Sequence, residues 1–269
     1  MSQPKSIVIT GASGGIGQAI AEAFAAPDVV MLLAGRDLER LNTTKTTVEA
    51  KGATAKLLTV PLSAHVAFCD GLRAFDAEHP VDLLIANAGV KTGNENGVEI
   101  DRETERIIDV NLKGTLRTVQ ALLPAMQARR SGQIALVGSL SAISPHADLL
   151  SYTATKAGIH AYSAALRRSL IGSGVSVSTI IPGFVKTAMT DRHLGPTPLA
   201  ISPKKAGHII HRGLLRKKSI IAFPRALIWL ACLGYVLPIP IRDRVENLFR
   251  AEVLPDQDEI DAQKLTDRD

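Results

Sequence analysis

Cysteine is scarce in this sequence: Cys69 and Cys232 are the only two among 269 residues. They are far apart and show neither CxxC nor metal-ligand spacing, so the sequence indicates no disulfide framework and no metal site. Aromatic residues make up 4% of the chain, and no nucleic-acid-binding module is recognisable, which argues against nucleic acid as a partner. The chain enters an apolar strand pattern without a signal-peptide pattern, so we expect a cytoplasmic protein.

Apolar runs long enough to cross a bilayer are also lacking. Residues 226–237 are twelve apolar or small residues, whereas a spanning helix needs about 20. We expect a helix there that packs on the substrate pocket or on a neighbouring subunit. The alternative is a peripheral membrane contact, which basic residues along the chain would support. These are Lys204, Lys205, Arg212, Arg216, Lys217, Lys218, Arg225, Arg242 and Arg244.

Charge is unevenly distributed along the chain. Residues 252–269 contain seven acidic and two basic residues, which leaves 29 basic against 19 acidic residues before them. We predict one domain over residues 1–251, with 203–251 forming a substrate lid and variable C-terminal helices, and a disordered acidic tail over 252–269. The basic excess of the domain suits cofactors and substrates that carry phosphate.

Strand and helix patterns alternate along the chain. Short apolar, β-branched runs occur at 6–10, 29–34, 54–62, 81–86, 133–138 and 175–181. Helical patterns occur between them at 18–26, 37–51, 65–78, 101–128 and 151–171. This alternation predicts an α/β fold: a single-domain, Rossmann-type, doubly wound parallel sheet with helices on both faces.

A glycine-rich turn follows the first strand pattern. Gly11, Gly15 and Gly17 stand between the strand and the first helix, in the spacing Gly-x-x-x-Gly-x-Gly. Glycines let the backbone approach a pyrophosphate closely, and the amides that begin the helix would point toward it. The alternative is a purely structural turn, but its position between strand and helix favours a dinucleotide site.

Arg36 lies at the end of the second strand pattern, where the adenosine ribose of a dinucleotide is expected. An acidic residue there would select NAD, whereas an arginine can pair with the 2′-phosphate of NADP. The sequence therefore favours NADP and leaves NAD open. The alternative is that Arg36 is a solvated residue paired with Asp37.

Three polar residues are predicted to converge at the end of the fifth strand pattern. Ser139 follows that strand, while Tyr152 and Lys156 are four residues apart on one face of the next helix. Such a trio suits proton transfer at a carbinol oxygen, with tyrosine as acid or base, lysine lowering its pKa and serine holding the substrate oxygen. Taken alone, the tyrosine and lysine are more simply explained as a helix-surface pair.

Asn111 is a poor residue for the middle of the helix predicted over 101–128. Either its amide is satisfied by local backbone, or a distortion of the helix frees a carbonyl to hold water near Tyr152 and Lys156. Farther along, Pro182 and Gly183 predict a turn over the nicotinamide side of the cofactor. Residues 188–202 predict a mobile loop over the pocket.

Together these motifs resemble those of the short-chain dehydrogenase/reductases, from about residue 5 to residue 190. Residues 10–17 are similar to the cofactor turn of that family, and 87–89 to its sheet-stabilising Asn-Ala-Gly. The catalytic residues that the resemblance implies are Asn111, Ser139, Tyr152 and Lys156, with Ser139 selected over Ser141. The implied cofactor-binding residues are Gly11, Ser13, Gly15, Ile16, Gly17, Arg36, Asn87, Ala88, Gly89, Tyr152, Lys156, Pro182, Gly183, Val185 and Thr187.

The resemblance implies hydride transfer between a nicotinamide and a carbonyl or secondary alcohol. It also implies that Lys156 holds the nicotinamide ribose, that Asn111 holds a relay water, and that the chain forms a homodimer or homotetramer. The family commonly has an aspartate near the adenine, where this chain has Leu62 and Ser63. A reductase of lipid or surface-polysaccharide biosynthesis at a membrane face is an alternative. A regulator that only senses cofactor is disfavoured, because every catalytic position is filled.

Overall fold

Parallel strands form the central sheet of the computed structural model, which describes residues 3–91, 99, 101–234, 236–247 and 252–254. In chain order the strands are β1 Ser6–Thr10, β2 Val30–Ala34, β3 Thr54–Leu58, β4 Leu83–Ala86, β5 Gly132–Val137, β6 Val175–Pro182, β7 His193–Leu194, β8 Ile220–Phe223 and β9 Glu252–Val253. Seven of them form one sheet in the order β3-β2-β1-β4-β5-β6-β8. All neighbours in it are parallel, which confirms the predicted doubly wound sheet.

Helices cover both faces of the sheet. They are α1 Gly15–Phe24, α2 Leu38–Glu49, α3 His65–Glu78, α4 Asp101–Ile107, α5 Thr115–Ala128, α6 Leu150–Ser169, α7 Ala188–Asp191, α8 Pro203–Leu215, α9 Arg225–Gly234 and α10 Ile239–Asn247. Side chains alternate across each strand, so Ile7 and Ile9 of β1 join the core on one face and Val8 joins the core on the other. Both faces are buried, as a parallel sheet requires.

The order in which the chain adds strands to the sheet reverses between β1 and β4. From β1 the sheet continues to β2 and β3 on one side, and then to β4, β5 and β6 on the other. The carboxyl ends of all these strands meet at one edge, and the point of reversal leaves a crevice there. The glycine turn after β1 and the segments after β4, β5 and β6 therefore come together.

The C-terminal part contributes more to the core than the sequence indicated. Helix α8 packs against α1 so closely that a Cβ on Gly207 would lie 2.4 Å from the Ala19 carbonyl oxygen. Strand β8 pairs with β6 and extends the main sheet. The lid predicted for 203–251 is thus too broad, because β8 belongs to the main sheet and α8 to the helix layer beside α1.

The segment predicted as a mobile loop over 188–202 contains α7 and β7. Strand β7 pairs antiparallel with β9, and Val185 bridges Ile201. Val253, placed by the sequence in the acidic tail, is 1% exposed in this pairing. The first residues of the predicted tail therefore belong to the folded chain, and the prediction for 255–269 lies outside the described residues.

Candidate active site

Ser139, Tyr152 and Lys156 converge as the sequence predicted. Ser139 follows the end of β5, and its side chain is close enough to the Tyr152 phenol on α6 to lower the pKa of that phenol. The Lys156 Nζ atom lies 5.7 Å from the centroid of the Tyr152 ring. The same Nζ donates a hydrogen bond of 2.9 Å to the Val137 carbonyl, which fixes the lysine at the carboxyl end of β5.

Ser141, which the resemblance set aside, orients Ser139. The backbone N–H of Ser141 donates to Ser139 Oγ at 3.1 Å, and the Ser141 hydroxyl donates to the same atom at 2.9 Å. Because a serine oxygen has two acceptor positions, these bonds occupy both and direct its own hydrogen elsewhere. The Tyr152 oxygen is the partner that remains, so Ser139 can donate to it.

The electrostatics of Tyr152 differ from the sequence prediction. Burial raises the pKa of its phenol above the usual value, and the hydrogen bond from Ser139 acts in the opposite direction. Burial also lowers the pKa of Lys156 to about 8. The expected net lowering of the tyrosine pKa is absent here, because the desolvation that penalises a phenolate outweighs the contribution of Ser139.

Asn111 lies in a π-helical segment, Ile108–Gly114, which joins α4 to α5. Its side chain accepts from the Val90 N–H at 2.7 Å and donates to the Val90 carbonyl at 2.9 Å. Its backbone carbonyl accepts from the Thr115 hydroxyl at 2.7 Å. The amide is satisfied by backbone, but by that of Val90, 21 residues away, rather than by local backbone. The helix is distorted, and the carbonyl already has one partner within the chain.

Gly89 connects Asn111 to Lys156. A Cβ placed on Gly89 would lie 3.4 Å from both Asn111 Oδ1 and Lys156 Nζ. The amide of Asn111 and the ammonium of Lys156 therefore approach the same point of the backbone after β4. Four residues chosen from separate parts of the sequence, Asn111, Ser139, Tyr152 and Lys156, form one cluster.

The glycine turn after β1 is braced by the segment after β4. Gly11 has a φ of +65°, and a Cβ on Gly17 would lie 2.1 Å from the Gly11 carbonyl oxygen, so the turn requires glycine at both positions. The Asn87 side chain donates 3.1 Å hydrogen bonds to the carbonyls of Thr10 and Gly11. The Thr10 hydroxyl accepts from the N–H groups of Asn87 and Ala88.

The geometry around this turn fits the pyrophosphate of a dinucleotide. Helix α1 begins after Gly14, and no side chain of the described part of the chain caps its N-terminal amides. A Cβ on Gly15 would lie 2.7 Å from the methyl carbon of Thr187, so the turn and the segment after β6 are in contact. Ser13 Oγ lies on the other side of the turn, 2.9 Å from a Cβ placed on Gly35. Backbone donors, the Ser13 hydroxyl and the Thr187 methyl group thus surround a place that only glycines leave open.

The remaining predicted cofactor residues lie along the same edge. Arg36 is exposed directly after β2, while the neighbouring Asp37 caps α2 and pairs with Arg40 at 3.1 Å. Gly183 follows Pro182, the last residue of β6, and donates to the Phe223 carbonyl at 2.7 Å. Ile16 is partly buried against the core, and Val185 is 3% exposed.

His160 is a site residue that the sequence reasoning missed. Its Nε2 atom accepts a 3.3 Å hydrogen bond from the Ser139 N–H, so it supports the backbone of the serine. Burial, followed by the charge of Lys156, lowers the pKa of His160 to about 4, which keeps the ring neutral. The available signal was its position, because residues 152, 156 and 160 follow one face of α6 at four-residue spacing.

A second missed group lies beside the site, where Lys91 Nζ is 3.4 Å from His193 Nδ1. Burial, followed by the charge of Arg192, lowers the pKa of Lys91 to about 8. The His193 ring contacts those of Phe184 and His146, with centroids 5.5 and 6.4 Å apart. This group connects the segments after β4, β5 and β6, so it positions the loops that surround the site.

A cleft of about 400 Å³ opens between the segment after β5 and the C-terminal helices. Its walls include Pro145, His146 and Leu150 on one side, and Ala231 of α9 and Arg242 of α10 on the other. The cleft adjoins the stretch of chain that joins Ser139 to Tyr152. None of the four cluster residues lines the cleft, but the chain that forms one of its walls leads from Ser139 to Tyr152.

The doubly wound sheet, the glycine turn and the Ser139, Tyr152 and Lys156 cluster define a dinucleotide-binding α/β oxidoreductase. A comparison with protein families is more specific, because the profile described as short chain dehydrogenase matches residues 5–195. The chain belongs to the short-chain dehydrogenase/reductase family.

Individual relatives agree with this assignment. An uncharacterized oxidoreductase of Myxococcus xanthus (strain DK1622) is 33% identical over 91% of this chain and 98% of its own length. A short-chain dehydrogenase from Sphingobium yanoikuyae, solved in complex with NADPH, is 25% identical, with a TM-score of 0.74 over 91% of this chain and 96% of that one. A metagenomic short-chain oxidoreductase, solved in complex with NADP, is 31% identical, with a TM-score of 0.68 over 81% of this chain and 94% of that one.

Proposed function

We propose that the chain transfers a hydride between a nicotinamide cofactor and a carbonyl compound or the corresponding secondary alcohol, with NADP(H) preferred over NAD(H). The observation that carries this proposal is the convergence of Ser139 and Lys156 on the Tyr152 phenol, with Lys156 Nζ 5.7 Å from the centroid of the phenol ring. The cluster lies at the same edge of the sheet as the glycine turn. When bound, the cofactor supplies the hydride for reduction or accepts it in oxidation.

Tyr152 is the general acid or base of this proposal. In the reducing direction its phenol donates a proton to the substrate oxygen, and in the oxidising direction its phenolate removes the hydroxyl proton. Ser139 accepts two hydrogen bonds from Ser141, so its own hydrogen is available to the tyrosine oxygen or to the substrate oxygen. Ser139 therefore orients the oxygen at which the proton moves.

Lys156 contributes a charge that favours the phenolate. Burial acts against this effect, since it raises the pKa of Tyr152 and lowers that of Lys156 to about 8. The two groups are coupled: a protonated lysine favours loss of the tyrosine proton, and a phenolate favours the charged lysine. One hydrogen of Nζ is donated to Val137, and those that remain are available to the hydroxyls of the nicotinamide ribose.

Asn111 is proposed to hold the water of a proton relay. Its carbonyl accepts one hydrogen bond from Thr115 and has a second acceptor position. Its side chain ties the π-helical segment to Val90, next to Gly89 and hence to Lys156.

The preference for NADP(H) rests on Arg36. Its side chain is exposed at the carboxyl end of β2, where a 2′-phosphate would be expected. The Sphingobium and metagenomic relatives were solved with NADPH and NADP, which supports the same choice.

The substrate class is proposed to be lipophilic. Ile143, Pro145, Leu150 and Ala231 form the apolar part of the cleft, and α9 is one of its walls. The rest of the lining is polar or charged and includes His146, Asp148, Arg242, Asp243 and Asn247. A reductase of lipid or surface-polysaccharide biosynthesis is a second candidate, favoured by the exposed apolar side chains of the same helix.

The test is turnover of a panel of ketones and secondary alcohols, followed by nicotinamide absorbance. Tyr152→Phe should lower kcat by about 10² to 10⁴ and leave NADPH binding unchanged, because only proton transfer is removed. Lys156→Ala should reduce both kcat and cofactor affinity. A Tyr152→Phe enzyme with most of its activity would contradict the proposal, and Ser176→Ala, far from the carboxyl edge at the start of β6, serves as the unaffected control.

A further inference from the structure

Helix α9 and the turn after it expose an apolar surface. None of the helix residues is buried, and Trp229 is 73%, Leu230 59% and Leu233 60% exposed. Val236 in the turn is 75% exposed. Isolated apolar residues are common on protein surfaces, but a contiguous apolar group marks an interaction site. We refer to Trp229, Leu230, Leu233 and Val236 as the apolar tip.

The opposite side of α9 is attached to the protein. Ala231 and Gly234 line the substrate cleft, and Leu227 lies 3.2 Å from a Cβ placed on Gly183. The helix therefore has a fixed inner side, and the apolar tip is the side without a partner in the described part of the chain. Helix α10 continues the exposure with Ile239, 63% exposed, and Ile241, 49% exposed.

Basic residues dominate the sequence around this tip. Residues 203–247 contain nine lysines and arginines but two acidic residues, Asp243 and Glu246. Arg225 begins α9 and Arg244 lies in the last turn of α10, and both are exposed. Apolar side chains with Trp, bordered by arginine, are the composition of segments that lie in the headgroup region of a membrane.

Charge distinguishes a bilayer from a second copy of the chain as the covering surface. A two-fold interface would place this basic patch against an equally basic copy of itself, so net positive charge would meet net positive charge. Like charges opposed in this way disfavour association, whereas an anionic surface attracts them. No helix in the described residues has the length and apolar character needed to cross a bilayer.

We propose that the apolar tip, together with α10, binds the headgroup region of an anionic bilayer without spanning it. The side chains of Trp229, Leu230 and Leu233 enter the boundary between headgroups and acyl chains, and Arg225 and Arg244 contact the lipid phosphates. Because the inner side of α9 lines the cleft, this contact holds the cleft at the lipid surface. That last consequence rests on the proposed function, whereas binding itself is measurable without turnover.

Trp229 makes the test direct, since it is the single tryptophan of the chain. The full-length protein is mixed with vesicles of phosphatidylcholine alone or of phosphatidylcholine with phosphatidylglycerol, at low and at high salt. We expect co-sedimentation with the anionic vesicles at low salt, a blue shift of Trp229 emission, and quenching by brominated acyl chains. Binding should weaken at high salt, because screening shortens the range of the arginine charges.

Matched variants separate the tip from general surface effects. Leu230→Asp and Leu233→Asp should abolish sedimentation, whereas Val66→Asp and Ile171→Asp, at residues 76% and 81% exposed, should not. Arg225→Gln and Arg244→Gln should each weaken binding about fivefold, since a basic residue near an anionic surface contributes about that factor. Arg167→Gln and Arg168→Gln, exposed at the end of α6, should leave binding unchanged.

Three results would overturn the proposal. They are the absence of sedimentation with anionic vesicles at low salt, equal losses in the tip variants and in the Val66→Asp control, and Trp229 emission insensitive to brominated lipid. Light scattering provides a further check, because a dimer dissociated by Leu233→Asp, without lipid binding in the parent, would assign the tip to a second copy. Loss of lipid binding with kcat intact would leave the proposed function standing, and loss of turnover in Tyr152→Phe with binding intact would support the two assignments separately.

Discussion

Two regions of the molecule depart in opposite directions from the usual rule that polar side chains are exposed and apolar ones buried. They are the apolar tip and the cluster of Asn111, Ser139, Tyr152 and Lys156. In the cluster polar groups are buried: Asn111 is 0%, Lys156 3% and Ser141 5% exposed. In the tip apolar groups are exposed. Burying a polar group costs free energy unless it is hydrogen-bonded, and exposing apolar area forgoes its burial. Such deviations are informative, because stability alone does not favour either of them.

The difference also concerns what surrounds each region. Every buried polar residue named in the cluster has a partner within the chain, such as Val90 for Asn111 and Val137 for Lys156. The cluster is therefore complete before any substrate arrives. The helix that carries the apolar tip is packed on one side only, and its other side is open to an external surface.

Truncating one side chain in the core and one in the apolar tip tests this comparison. The core truncation should have the largest effect on stability of the changes we consider. Leu84→Ala, at a residue 0% exposed in β4, should lower the free energy of unfolding by about 2–5 kcal/mol through lost burial and a cavity. Leu230→Ala in the tip should change it by less than about 0.5 kcal/mol. Urea unfolding measures both. A large loss in Leu230→Ala would mean that α9 is packed in solution.

Cofactor selectivity tests the role of Arg36 at the edge of the sheet where the dinucleotide is expected. Arg36→Ala should weaken NADPH binding by about 1.5–3 kcal/mol, the value of a hydrogen bond to a charged group, and leave NADH nearly unchanged. Arg40→Ala is the control, because Arg40 is exposed nearby but paired with Asp37. Fluorescence titration of both cofactors gives the ratio. Equal losses for NADPH and NADH would make Arg36 an ordinary surface residue.

The smallest effect we expect is a change in the pH dependence of stability at His160. The pKa of His160 is about 4 in the folded chain and near 6.5 when unfolded, so the unfolded state binds more protons between these values. Stability from this residue is present above pH 6.5 and is lost as the pH falls toward 4. His160→Asn should therefore flatten the decline of Tm between pH 6.5 and 4.5, relative to the parent chain.

The exposed His208→Asn provides the comparison for that measurement. His193 also has a pKa lowered to about 4, so part of the decline should persist in His160→Asn. If the decline of Tm with falling pH is unchanged in His160→Asn, the difference in proton binding between folded and unfolded His160 does not control it.

Much of the architecture could be predicted because local periodicity determines it. The helix over His65–Glu78 was predicted with the same bounds, and the strand patterns lie within a few residues of β1, β2 and β4. Strand β8 was missed, because a four-residue apolar run directly before an apolar helix cannot be separated from it by pattern. The third strand ends at Leu58 rather than at residue 62.

The composition of the site was predictable, but its support was not. Tyr152 and Lys156 share a helix, so their spacing alone places them together. Ser141 and His160 act through hydrogen bonds that exist only once β5 and α6 are adjacent. The direction of the Tyr152 pKa shift depends on burial, and the burial of a side chain cannot be derived from the spacing of residues.

The π-helical segment has a consequence for the phase of the long helix that contains it. Each residue advances an α-helix by about 100°, so a turn with an extra residue rotates α5 relative to α4 by about that angle. Asn111 can therefore face Val90 while Leu122 of α5 still faces the core. Removal of one residue between 108 and 114 would restore a regular helix and rotate one of these two faces away from its partner. The number of residues in this stretch therefore determines whether Asn111 and the core face of α5 can both be in place.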